Sequence, residues 1–164
     1  MKKTLLILLF YSLSLTSYGQ YAAVVRKTAL AMLKASEEKN YNAYVDYFYP
    51  TELKWRGGRT KFINQLLSND KLAPVPGLRS GKETFGKVSK VYKAGKELHC
   101  VIERTTRGYY FNEKSVSHTH FLAISGDNGK TWKFIMTAGK IPSEIWLMVP
   151  KFNEDLMWSD YNED

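Results

Sequence analysis

The hydrophobic spacing of this chain changes period once, and that change sets its fold class. Up to residue 67, apolar side chains recur three and four apart, as on one face of a helix. Val25, Ala29, Met32 and Leu33 form the first such face, with Arg26, Lys27, Lys34 and Glu37 off it. Asn40 breaks this helix. Asn42 caps a second, short helix over 43–49, which Pro50 stops. Residues 51–55 add one turn, and Gly57-Gly58 form a hinge. A third helix over 59–67 carries Phe62, Ile63, Leu66 and Leu67 on one side. Residues 73–77, Ala-Pro-Val-Pro-Gly, read as an extended loop. After that the period is two. Strands are expected over 87–92, 97–106, 115–124 and 131–137, with turns at 94–95 and 127–129. Residues 107–112 read as a Gly- and Tyr-rich connection. Pro142 opens a last helical turn over 143–148, before Pro150. Helices first and antiparallel strands second make an α+β chain, not an alternating βαβ one. A curved sheet of about four to six strands, wrapped on helices, buries both halves.

The first twenty residues read as an export signal. Lys2 and Lys3 precede an apolar run over 5–15, and Ser17-Tyr18-Gly19-Gln20 offers small residues to a peptidase. The expected organisation is a signal at 1–20, one α+β domain at 21–150 and an acidic tail at 151–164. The expected location is the periplasm or the outside. No later stretch is long and apolar enough for a spanning helix. Cys100 is the only cysteine, so no intramolecular disulfide forms, and no cysteine follows the signal to take a lipid anchor. The core alone must hold the domain. Cys100, within Leu98-His99-Cys100-Val101-Ile102, reads as a buried, inert thiol. Charge is uneven. Residues 21–143 carry 21 Lys and Arg against 10 Asp and Glu, whereas residues 144–164 carry Lys151 against six acids. A basic body of this kind favours polyanions. Yet the lysines are spread over helices, loops and strand edges, so a polyanion is the less favoured partner.

Two segments carry a family resemblance. Glu38-Lys39-Asn40-Tyr41-Asn42-Ala43-Tyr44-Val45-Asp46-Tyr47-Phe48-Tyr49-Pro50 is similar to the second helix of the NTF2-like (SnoaL-like) superfamily. Gly57-Gly58-Arg59-Thr60-Lys61-Phe62 resembles the start of that family's third helix. The order of elements agrees over essentially the whole of residues 21–150. The resemblance implies an NTF2-like, cystatin-like cone, with helices packed on a curved antiparallel sheet and a pocket between them. It also implies a homodimer through the sheet in many members. It implies no single activity, since members include isomerases, dehydratases, cyclases and plain binding modules.

The sharpest motif is Ser125-Gly126-Asp127-Asn128-Gly129-Lys130-Thr131-Trp132, which fits the Asp-box pattern S-x-D-x-G-x-T-W. Ser125 and Asp127 are placed to bond loop amides, Gly129 supplies positive φ, and Trp132 packs over the loop. One box in so short a chain cannot make a propeller, so it reads as a structural hairpin. His118 and His120 alternate onto one strand face with Val116, Leu122 and Ile124, and His99 lies on the preceding strand. Three histidines on adjacent strands are a zinc-type set, but no carboxylate motif accompanies them and no metal is expected. Asp46 and Glu103 are the acids expected to point into the cone. Family enzymes use a pocket Asp as base, which makes Asp46, with Tyr44, Tyr47 and His118, the catalytic candidate set, although Asp46 reads first as a helix-surface charge or a partner for Arg56 or Arg59. The paired acid and specific Tyr of the known isomerases have no match. Lys54-Trp55-Arg56-Gly57-Gly58-Arg59-Thr60-Lys61 interleaves basic and aromatic residues at a helix start and reads as a hinge with a solvated rim. Lys87, Lys90, Lys93 and Lys96 protect a sheet edge.

These readings converge on an exported, non-enzymatic binding domain without a cofactor. Its ligand is a small apolar molecule, a peptide or a surface polyanion. Tyr44, Tyr47, Trp55, Phe62, His118 and His120 are the pocket candidates. The alternatives are a lyase, isomerase or hydrolase using Asp46 and His118, and a module that dimerises through its sheet.

Overall fold

The computed structural model describes residues 2–73, 76–79, 81–153, 155–156 and 161–163; for residues 2–18, 142 and 161–163 it describes the backbone alone. The helices are α1 (Lys2–Glu37), α2 (Tyr41–Val45), α3 (Pro50–Trp55), α4 (Arg59–Asn69) and α5 (Pro142–Met148). The strands are β1 (Leu78–Arg79), β2 (Glu83–Val88), β3 (Tyr92–Ala94), β4 (Glu97–Tyr110), β5 (Glu113–Ser125), β6 (Lys133–Met136) and β7 (Tyr161–Glu163). The N-terminal helices pack on a strongly curled antiparallel sheet, a half-barrel of the α+β class. Among the described residues no helix is long and apolar enough to cross a membrane.

A long hairpin, β4–β5, is the spine of the sheet. Its ladder runs without a bulge from Leu98 opposite Ser125 to Tyr110 opposite Glu113. β1, β2 and β3 follow one another along the free edge of β4, while β6 and β7 share the free edge of β5. The β2–β4 register shifts between Phe85 and Val88, and such a bulge tightens the local twist.

Alternation divides the sheet into two buried faces. Cys100, Ile102, Phe121, Ala123 and Phe134 meet Val25, Ala29 and Met32 of α1, Phe48 from the link between α2 and α3, and Phe62 of α4. Val101, Leu122, Ile124 and Ile135 point the other way, onto Ile145, Met148, Val149 and Leu156. Cys100 is fully buried, and burial pushes its thiol up to about 12. Leu156, within the expected acidic tail, is 3 % exposed and belongs to the second core.

Several boundaries differ from the sequence expectation. The N-cap of α2 is Asn40, not Asn42: the Asn40 carboxamide oxygen accepts from Ala43 N, and the helix begins two residues early. Pro50 does not stop α2, which ends at Val45. It opens α3 from the first helical position, where its missing N–H costs nothing. The strand expected over 87–92 is two strands, because Ser89 turns out of line. Its N–H reaches Val101 O, while its Oγ accepts from Val101 N at 2.8 Å. Residues 107–112 are not a loose connection: pairing continues to Tyr110, and only Phe111 and Asn112 turn. Of the 73–77 loop, residues 74 and 75 lie outside the described residues, as do residues 154, 157–160 and 164 of the tail.

The Asp-box loop is closed by side-chain hydrogen bonds. Ser125 Oγ accepts from Gly129 N at 2.9 Å and donates to Asp127 Oδ1 at 2.8 Å. Asp127 accepts from Thr131 N at 2.9 Å and Thr131 Oγ1 at 2.7 Å. Gly129 has φ of +83°, and a Cβ there would lie 2.3 Å from the Tyr21 ring. The backbone and hydroxyl of Thr131, with Ser125, lower the Asp127 carboxyl from 3.8 to about 2. A carboxyl depressed on folding gives stability that is complete above its ordinary value of 3.8 and is lost as pH falls to about 2. Asp127→Ala is expected to cost about 1–2 kcal/mol at neutral pH through the lost loop bonds. Denaturant titration should show that deficit shrinking at acid pH.

Candidate functional site

The space between α1 and the sheet, where the resemblance places a pocket, is largely filled. A cavity of about 60 Å³ remains, lined by Met32, Leu33, Tyr44, Phe85, Arg104 and Phe121. Pockets for organic ligands run to roughly 300–1,000 Å³, so this one has room for little more than water. Arg104 closes it: Nε donates to Thr119 Oγ1 at 3.0 Å, and the guanidinium lies 5.3 Å from the Phe121 ring centre. Tyr44 is buried edge-on against Phe48, and burial raises its phenol above the ordinary value. Phe62 is buried under Arg56, which stacks 4.5 Å above its ring. Trp55 is 51 % exposed at the end of α3.

Asp46 and His118 are not brought together. Asp46 is exposed, paired with Arg59, and lines an outer cleft of about 390 Å³ with Thr28, Tyr47 and residues 130–133. His118 and His120 share the face of Leu122 and Ile124, which is the face away from α1. Glu103 lies on that same far face rather than in the cone. His118 Nδ1 is 2.8 Å from Glu103 Oε1, and Thr105 Oγ1 donates to the same oxygen at 3.0 Å. The His118 hydrogen bond, with help from Thr105, lowers the Glu103 carboxyl. Such a pair can hold a proton. His99 stands opposite Ile124, four residues along β5 from His120, so the three imidazoles do not converge. Its Nε2 lies 3.3 Å from Glu97 Oε2, and burial pulls its pKa down. Among the described residues no group of three His, Cys, Asp or Glu is placed to hold a metal.

Two of the four cations of the 54–61 hinge, Arg56 and Arg59, are committed to acids. Arg56 Nε donates to Glu52 Oε1 at 2.7 Å, and Arg59 pairs with Asp46. The cations at the turn end of the β4–β5 hairpin are more open. There a groove of about 410 Å³ is lined by Lys82, Arg107, Gly108, Tyr109, Lys114 and Val116. The register explains the cluster: Arg107 stands opposite Val116 and Tyr109 opposite Lys114, so alternation sets all four on one face. The β1–β2 link brings in Lys82, whose carbonyl accepts from Arg107 N at 3.1 Å. Gly81 permits that approach, since a Cβ there would fall 1.6 Å from Arg107 O. Among the described residues, Glu113 stands opposite Tyr110, Glu163 of β7 opposite Val116, and Glu83 opposite Thr106.

Sequence reasoning missed this site because 107–112 was read as a connection. A signal was present: Arg107-Gly108-Tyr109-Tyr110-Phe111-Asn112-Glu113-Lys114 interleaves basic and aromatic residues as 54–61 does. Comparison of the chain with protein-family models, with curated proteins and with solved structures finds no match.

Proposed function

We propose that this chain is an exported, non-enzymatic binding domain of NTF2-like descent, and that its ligand is a surface polyanion held at the turn end of the β4–β5 hairpin. The observation that carries the reading is the groove of Lys82, Arg107 and Lys114 beside the half-exposed Tyr109. Two further facts support it over the other ligands. The cone cavity is too small for an apolar molecule. The apolar half of the far sheet face lies under α5 and Leu156, so that half is not open to a partner's sheet.

The test is retention on a sulfated-polysaccharide matrix. A triple variant, Lys82→Gln, Arg107→Gln and Lys114→Gln, should elute at distinctly lower salt. The slope of log affinity against log salt should fall by roughly one unit per charge removed, since each neutralised charge releases a counterion. Glu163→Gln should raise retention, because β7 pairs Glu163 opposite Val116 of the groove. This variant spares Leu156 and the second core. Elution unchanged by the triple variant would refute the assignment.

The Glu103–His118 pair favours a second reading, a proton-transfer enzyme on the far face of the sheet. That enzyme would work without Asp46. A reaction lost on Glu103→Gln with the fold intact would establish it in place of the first.

A further inference from the structure

The hairpin tip is built against local preference. Phe111 and Asn112 form the whole turn, with φ of +45° and +74°. A two-residue loop with both φ positive is the place for Asn-Gly or Asp-Gly. A bulky aromatic there is an outlier, and such strain concentrates where a side chain has work to do. The strained side chain is also not hidden: Phe111 is 62 % exposed. It shares the tip with Tyr109, Tyr110 and, across the β1–β4 pairing, Leu78, all of them exposed large apolar residues. Behind this end stand Arg79, Lys82, Arg107 and Lys114. Arg79 is opposite Tyr109 and donates to Asn112 Oδ1 at 3.2 Å. The tip is held in place: Phe111 N donates to Gly77 O at 2.9 Å, and Tyr110 and Phe111 pack edge to face at 4.7 Å.

We infer that the hairpin tip inserts Phe111 into an anionic lipid bilayer, with Tyr109 and Tyr110 at the headgroup level and the basic residues behind them on lipid phosphates. The inference rests on the proposed anionic-surface role of this groove and names its partner. An apolar wedge backed by tyrosines and then by cations follows the polarity gradient of a membrane interface. The cations match the negative surface, where each contributes about 1 kcal/mol, or roughly fivefold in affinity. A glycan chain would be met by a flat ring face, whereas Tyr110 and Phe111 stand at 77° to each other and offer no shared platform.

The experiment is flotation of the mature protein with vesicles of phosphatidylcholine alone and of phosphatidylcholine with phosphatidylglycerol. The protein should float with the mixed vesicles and not with the neutral ones. Phe111→Asn separates folding from function, because Asn accepts positive φ. Its thermal midpoint should hold or rise while vesicle affinity falls about tenfold or more, the effect of withdrawing an aromatic side chain from the interface. Vesicle binding unchanged by Phe111→Asn would overturn the insertion. So would retention on the sulfated matrix without vesicle binding, which would leave the polyanion reading standing. Failure on both supports would remove both proposals. Concentration-dependent dimers without lipid, abolished by Phe111→Asn, would make a second copy of the chain the occupant and overturn the bilayer.

Discussion

Glu52→Ala should destabilise the domain by about 3–5 kcal/mol, the range for breaking a buried ion pair from one side. The Glu52 side chain is fully buried. Its carboxylate takes Arg56 Nε at 2.7 Å and Lys140 Nζ at 3.2 Å, and Lys140 keeps only 8 % of its side chain exposed. With the carboxylate gone, the Lys140 ammonium keeps its hydrogen bond to the Met136 carbonyl and loses its counter-charge. Small domains hold about 5–15 kcal/mol in all, so the loss takes a large share. Urea unfolding should show a lower midpoint with an unchanged slope. The triple variant Glu52→Met, Arg56→Met, Lys140→Met should recover most of it, since it leaves no charge of the cluster uncompensated. A triple variant as unstable as the single would mean that shape, not charge, holds α3 to the β6–α5 link.

Trp132→Ala should cost a similar amount, about 3–5 kcal/mol, for a different reason. Trp132 is 1 % exposed, so its loss opens a cavity that the curled sheet cannot fill by collapse. It also removes the Nε1–H bond to Gly129 O, at 3.1 Å, and the ring edge that meets Tyr21. Because Asp127 and Trp132 hold the same loop, the two single substitutions should not add when combined. Calorimetry on the two singles and the double would measure that shortfall, and full additivity would show the box and its tryptophan to be independent.

The parts of this fold that were legible in the sequence are those decided by neighbouring residues. The Val25, Ala29 and Met32 stripe, the positive φ of Gly129 and the Ser125–Asp127 bonds all follow from spacing over a few positions. What was not legible was decided at long range. Gly108 looks like a break in a strand, yet pairing to Lys114 and Ser115 on one side and to β1 on the other carries β4 through it. Lys82, Arg107 and Lys114 are scattered charges until the hairpin register collects them. Glu52 and Lys140 stand 88 positions apart, although Arg56, four residues on, hinted at an ion pair. Asp46 and His118 looked like a catalytic pair because element order says nothing about which way a residue faces; strand parity sets His118 on the sheet face away from α1, while Asp46 ends α2 on the outer surface.

The unbroken β4–β5 ladder limits how such a ribbon can change length. One residue added to β4 alone would turn every later side chain to the other face, sending Arg107 and Tyr109 toward α1 and Gly108 and Tyr110 outward. Only a matched pair of residues in each strand leaves the tip facing as it does. The reach of the hairpin is therefore quantised, in steps of about 7 Å. Chains that share this tip should differ in ribbon length by even increments and keep the two-residue turn unchanged.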